Sequence, residues 1–402
     1  MPATPGRGHL AGRIRLTVRP SRLTECSMGR WMLLLTGCLL LVAPLPLQAI
    51  FPWRSSGEPQ VREAAQLAIG ASDLTVSPAG SLIVAMQGLF RPPDRLIELT
   101  RDRTFEPYPT PLIGRNLDGA PIQLDSVQSV QVDGGGVVWI LDNGRRSDTP
   151  PQLVGWDHRQ EKLHRVIPLV GAALRPGSIL EQLAVDGSEP FAYIADPASG
   201  PDAALLVVNL ESGLVRRVLQ GDYSVTPNPA VRVVVGGQEL QVRRLDGTEL
   251  VPSAGIHPLA LDRRSDYLYY GPMQGNMLYR IATEHLRNEQ LAAADLASQV
   301  ERYAPRPPAT SITLDNRGNV YVGDLAANAI GIIHASDKQY RIHVSDPRFQ
   351  WPHGLCFGAD GDLYFTASQL HLSAPYNRGE DRSLRPFFVF SAEALAAGTP
   401  GR

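Results

Sequence analysis

The chain has 402 residues, a formal net charge of −2 and 43% hydrophobic residues, which suits a globular protein and excludes a polycationic nucleic-acid binder or an acidic disordered chain. Its 37 glycines and 34 prolines point to many tight turns rather than to long helices.

At the N-terminus, Arg30 precedes an apolar run over 31–42, followed by Pro44, Pro46 and Leu47-Gln-Ala49. A basic flank, a short apolar core and a small closing residue read as a secretory signal, and the run is too short to span a membrane. Residues 1–49 are therefore assigned to an N-terminal extension and signal peptide, with Met28 as a start that gives the signal normal proportions. The expected location is secreted or periplasmic, in a bacterium, with no stable membrane span after removal of the signal. Cys26 and Cys38 fall in the removed segment, which leaves Cys356 as a single small hydrophobe on an apolar strand.

Residues 50–402 carry one strand–turn–strand phrase six times. It reads Asp73-Leu-Thr-Val-Ser-Pro-Ala-Gly80-Ser-Leu-Ile-Val84, then Ser129-Val-Gln-Val-Asp133-Gly-Gly-Gly-Val-Val-Trp-Ile140. It returns at 183–194, 259–270, 312–322 and 355–365. In each copy a run of β-branched and aromatic residues meets a polar turn and a second apolar run follows, the pattern of a hairpin. Hairpins recurring roughly every 45–75 residues must stack to bury their faces, and the closed solution is an all-β, six-bladed β-propeller. The stretch 61–69 is either a short helix or the strand that closes the ring. Blades two and three have outer strands at 152–156 and 163–167, and at 204–210 and 214–219. A hairpin insertion over about 220–250, with a tight turn at Gly236-Gly237, lies between blades three and four. Thr283 is expected to cap a helix over 283–303, and 385–390 supplies an outer strand to blade six.

Innermost strands line the channel of a propeller, and ligands bind at its mouth. Counting five residues back from each turn position (Ser77, Asp133, Asp186, Asp262, Asp315, Gly358) gives Ser72, Gln128, Glu181, His257, Thr310 and His353. Six polar residues at matched depth are costly in a core and predict a solvated ring that meets a small-molecule ligand. Glu181, His257 and His353 also have the donor types that hold a divalent metal, which is the one cofactor the ring suggests. A second tier after the second strand of each repeat, Asp142, Asn143, Asp196, Asn276 and Asn328, reads first as turn caps. No catalytic residue is assigned, no nucleic-acid partner is expected, and the chain is expected to be a monomer.

Several stretches resemble the major royal jelly protein and Yellow family in its bacterial branch. They are Val132-Asp-Gly-Gly-Gly-Val-Val-Trp-Ile-Leu-Asp-Asn-Gly144, Phe191-Ala-Tyr-Ile-Ala-Asp196, Leu278-Tyr-Arg-Ile-Ala-Thr-Glu-His-Leu-Arg-Asn288, Asn319-Val-Tyr-Val-Gly-Asp-Leu-Ala-Ala-Asn-Ala-Ile-Gly331 and Trp351-Pro352. The resemblance implies secretion and a six-bladed propeller. It leaves activity open, because insect members include dopachrome-converting proteins, salivary amine binders and nutritional proteins, while bacterial relatives are labelled dopachrome tautomerase-related or gluconolactonase-like. The sequence departs from the family at Glu181-Gln182, where an Asn-Asp pair is expected, and at His353, where an acidic residue often follows Trp-Pro. Three functions follow: a propeller binding an aromatic or amine ligand, with Glu181 as counter-ion and Tyr270 or Trp351 as the ring face; an enzyme on the same site, either a tautomerase or a metal-dependent lactonase; and a protein-interaction platform.

Overall fold

The computed structural model describes residues 59–100, 104–109, 123–144, 149–198 and 200–402. The expected signal segment, with Cys26, Met28 and Cys38, lies outside them. Six four-stranded antiparallel sheets form the six blades of a β-propeller. The innermost strands are Ala71–Val76, Val127–Val132, Leu183–Val185, Ile256–Leu261, Ala309–Leu314 and Pro352–Phe357.

The turn positions that mark the repeat explain why each phrase folds as a hairpin. Asp133 accepts the backbone N–H groups of Gly135 (2.8 Å) and Val137 (2.9 Å), and its other oxygen accepts the Trp139 indole N–H at 2.9 Å. Asp186 and Asp315 accept equivalent backbone N–H groups. A carboxylate that bonds the chain two to four residues on holds a turn without help from the rest of the protein.

Blade six is built from both parts of the chain. Its order outward from the channel is Pro352–Phe357, Leu363–Ala367, Phe387–Ala392 and then Val61–Leu67. The stretch near residue 61 is thus the ring-closing strand, paired from Val61 with Ala392 to Leu67 with Phe387. Apolar faces of neighbouring blades meet in the core, as where Tyr193, Leu205 and Val207 pack on Leu259, Leu268 and Tyr270.

One expectation is corrected. The 283–303 stretch is two short helices, Thr283–Arg287 and Ala293–Ser298, followed by the strand Glu301–Pro305. Thr283 is the first helical residue rather than its cap, and its hydroxyl donates to the Ser265 carbonyl at 2.6 Å. Alanine propensity was outweighed by the need for a fourth strand on blade four. Residues 231–250 form two two-stranded ribbons, Val234–Val235 with Gln238–Glu239 and Val242–Arg243 with Glu249–Leu250. Gly236 and Gly237 both take positive φ (56° and 84°), as a tight hairpin turn requires. Residues 244–250 of the second ribbon are exposed, whereas the first ribbon is seated on the propeller. Val233, Val235 and Leu240 pack on Met273, Leu325 and Trp351 over one end of the channel.

Candidate functional site

Each inner strand runs from a ring position to a turn position, so the ring and the turns mark opposite ends of the channel. The turn end is closed by residues 398–402. The Phe357 N–H donates to the Arg402 carbonyl and the Thr75 hydroxyl to the Gly401 carbonyl, both at 2.8 Å. The Arg402 guanidinium donates to Val185 O (2.9 Å) and Ser265 Oγ (3.2 Å), within the field of Asp133, Asp186 and Asp262.

Midway along the axis the channel is filled. Asp73 accepts from Ser129 Oγ, from the N–H groups of Leu74 (2.9 Å) and Val130 (3.1 Å), and from Gln182 Nε2 (3.4 Å). A cavity of about 20 Å³, lined among others by Asp73, Gln131, Gln182 and Cys356, holds at most one water. Burial pushes the Asp73 carboxyl up to about 7 despite those hydrogen bonds. The sequence assigned Asp73 no site role and marked Gln182 only as a departure from the family. Cys356 is buried in the apolar core, as expected.

The ring end is the open question for chemistry. In five of the six blades the pairing register slips at or beside the ring residue: between Ala71 and Asp73, Val127 and Ser129, Ile256 and Leu259, Ala309 and Ile312, and His353 and Cys356. Such bulges break the in–out alternation and re-aim side chains. The structure then divides the six predicted residues. Ser72 donates to Ala85 O and Val127 O (3.2 and 3.3 Å), and Thr310 to Pro352 O (3.4 Å), so both stitch blades together. Gln128 bonds Ser126 Oγ at 3.0 Å within its own blade. Glu181 is half-buried, and its charge acts on the Tyr376 phenol.

His257, Thr310 and His353 come together. His257 Nδ1 bonds Thr310 O at 2.8 Å, which places the proton on Nδ1 and leaves Nε2 as an acceptor. The His257 and His353 ring centroids are 5.5 Å apart. Both rings are buried, and neither nitrogen of His353 has a partner. Burial pushes His257 down to about 4 and His353 to about 3, so both are neutral at ordinary pH.

Among the described residues no three His, Cys, Asp or Glu side chains are placed to hold a metal ion, so Glu181 does not join the two histidines as a ligand set. Glu181 is half-buried, and its charge acts on the Tyr376 phenol but on neither imidazole.

A residue outside the repeat completes this end. Arg306, in the crossing from the last strand of blade four to the first of blade five, is 3% exposed. Its backbone N–H donates to the Asn276 carbonyl (3.1 Å), and its guanidinium donates to Pro272 O (2.6 Å) and Pro307 O (2.8 Å). Nε has no partner. Arg306 is close enough for its charge to help hold His257 neutral, and burial lowers its own pKa to about 10.

Above lies a roof made of the two ribbons and of residues 369–385, joined where Arg378 N–H donates to Arg243 O at 2.7 Å. Trp351 stacks on His371 (6.0 Å, 9°) and meets Tyr376 edge-on. Trp351 Nε1, His371 Nδ1 and Asn328 Oδ1 are buried without partners. A cleft of about 390 Å³ opens between the two roof segments, lined by Gln238, Gln241, Asn328, Gln350, His371 and Arg382 among others. Tyr270 is not available as a ring face, since it is buried in the interblade core with its hydroxyl on Ser224 Oγ at 3.0 Å.

The second tier is mainly structural. Asp142 accepts the N–H groups of Asp125, Ser126 and Gly144, and Asn143 Nδ2 donates to Leu180 O at 3.4 Å. Asp196 forms a buried ion pair with Arg217 at 2.7 Å. Asn276 is exposed and acts through its carbonyl on Arg306, while Asn328 takes φ 47° at a turn under the roof.

Comparison with known proteins fits this architecture. The sequence model of the family described as "Major royal jelly protein" matches residues 125–380. The chain belongs to the major royal jelly protein family. Major royal jelly protein 9 of Apis mellifera is 21% identical over 237 residues, 56% of this chain, and the chain spans about half (52%) of that relative's length. Among solved structures, a luciferin-regenerating enzyme has a TM-score of 0.53 at 12% identity, covering 85% of this chain and 98% of its own. A protein described as a putative gluconolactonase gives 0.52 at 13%, covering 85% and 93%. A gluconolactonase of Xanthomonas campestris gives 0.50 at 12%, covering 84% and 90%. At these identities the likeness shows the shared propeller fold of this royal jelly family member and no chemistry. Among the described residues no helix is long and apolar enough to cross a membrane.

Proposed function

We propose that this chain is an exported propeller that binds a small organic ligand at the ring end of its channel, beneath the roof. The observation that carries the reading is His353, a buried imidazole with both nitrogens unpartnered, beside His257. Buried polar groups are almost always satisfied, and an orphaned donor and acceptor on one ring are held open for a partner that comes and goes. Ser72, Gln128 and Thr310 form the surrounding frame, and a cleft beside His371 and Asn328 opens in the roof. The basic flank and apolar core before residue 50 support export.

Catalysis on the same site is the second reading, favoured by two neutral imidazoles 5.5 Å apart that could pass a proton in a tautomerisation. Binding ranks above it, because imidazoles held near 3 and 4 are poor bases at neutral pH. The lactonase form of that reading also lacks a convergent donor set among the described residues.

Native mass spectrometry of protein purified from the periplasm tests the proposal. A small molecule retained by wild type and lost in H353N supports it. Retention unchanged in H353N, or wild type that carries nothing and takes up no aromatic amine, carboxylate or lactone supplied, refutes it. Dopachrome turnover that falls in both H353N and H257N would move catalysis to first place.

A further inference from the structure

The charge at the ring end is opposite in sign to what an amine ligand needs. Two other arginines face carboxylates: Arg217, whose side chain is buried, is paired with Asp196 at 2.7 Å, and the half-buried Arg402 lies among Asp133, Asp186 and Asp262. Arg306 is as deeply buried as the Arg217 side chain, yet among the described residues no carboxylate pairs with it. Its bonds go to two neutral carbonyls, Pro272 O and Pro307 O, and its Nε–H has no acceptor. An isolated buried cation is poorly tolerated unless an anion reaches it. The fold nevertheless makes room for this one. A methyl group on Gly271 would sit 2.7 Å from Arg306 Nη2, and the crossing is anchored by the Asn276 carbonyl. The adjacent histidines add no compensating negative charge: His257 offers a lone pair at Nε2, and His353 an unused N–H.

Resting on the reading of the ring end as a ligand site, we infer that its ligand is a small organic anion, with a carboxylate matching best, and that Arg306 sets this preference. A carboxylate supplies the missing charge, and its two oxygens suit the planar guanidinium fork together with one imidazole N–H. Glu181, the counter-ion expected for an amine, acts by its charge on the Tyr376 phenol and on neither histidine.

Three probes of one shape separate the possibilities: acetate, acetamide and acetamidinium, which carry charges of −1, 0 and +1. Each is titrated into the full chain while the imidazole resonances of His257 and His353 are followed by NMR. Saturable shifts with acetate, at least tenfold weaker with acetamide and absent with acetamidinium, support the inference. R306Q is expected to weaken acetate binding at least tenfold. Should R306Q not fold, R306K keeps the charge but not the fork, and a several-fold loss of affinity supports the same assignment. Acetate binding unchanged in either folded variant overturns it. Stronger shifts with acetamide or acetamidinium overturn the anion preference but leave the ring end as a binding site. If none of the three moves either histidine, both the inference and the site reading fall.

Discussion

The buried histidines and Asp73 make opposite, calculable contributions to stability between pH 7 and pH 5. His257 and His353 have folded-state pKa values near 4 and 3, below the ordinary 6.5. As pH falls through 6.5 the unfolded chain takes up protons that the folded chain refuses, so their stabilisation is present above that value and lost on acidification. From pH 7 to 5 each histidine costs about 2 kcal/mol, a figure insensitive to how far below 5 the folded value lies. Asp73 is raised from 3.8 to about 7, so its contribution is present at low pH and lost as pH rises through 7. Over the same interval on acidification it returns about 2 kcal/mol. These three groups together should make wild type about 2 kcal/mol less stable at pH 5 than at pH 7. H353N should bring their net effect near zero, and D73N should enlarge the loss to about 4 kcal/mol. Urea unfolding at the two pH values and fixed ionic strength measures all three. If H353N kept the wild-type difference, His353 would be titrating as an exposed histidine, and the argument for a sealed, unpartnered imidazole would fail.

Other perturbations separate packing from binding. G271A forces a methyl to 2.7 Å from Arg306 Nη2 and 2.8 Å from Met277 O, and should destabilise by about 1–3 kcal/mol in thermal or chemical unfolding. D196A leaves Arg217 buried without its partner and should cost about 3–5 kcal/mol, with ligand retention unchanged in whatever fraction folds. Removal of 398–402 takes away the Arg402 carbonyl bond to Phe357 and the Gly401 bond to Thr75, and should lower the unfolding midpoint and expose the lower channel to hydrogen exchange. Elemental analysis after purification without chelator should show metal content that H257A and H353A leave unchanged.

The blades were legible because each is specified locally: an Asx turn at Asp133, Asp186 or Asp315 between two apolar runs needs no distant contact to be recognised. The same regularity located His257, Thr310 and His353 at one depth. It could not say which ring members would be spent as staples, since the partners of Ser72 and Thr310 are carbonyls of the next blade. Asp73 received no site role because the bulge between Ala71 and Asp73 breaks the alternation by which a strand residue is placed inside or outside. Arg306 lies in a crossing rather than in the repeat, and nothing in Pro305-Arg-Pro-Pro308 marks a buried cation. Its proximity to His257 exists only once blades four and five are side by side.

The closing of blade six has a consequence for how this chain comes to be. Val61–Leu67 leaves the ribosome before any other described strand, yet its partner Phe387–Ala392 is among the last to be made. The early strand must therefore wait, with an unpaired edge, through synthesis of nearly the whole ring. Bringing the two together also carries the chain-entropy cost of the longest loop in the fold, which grows only slowly with length. Five blades can zip up in order behind the growing chain, whereas the sixth makes folding an event of the finished polypeptide. Arg62 and Glu63 give that waiting edge a charged guard against pairing with a neighbour's strand.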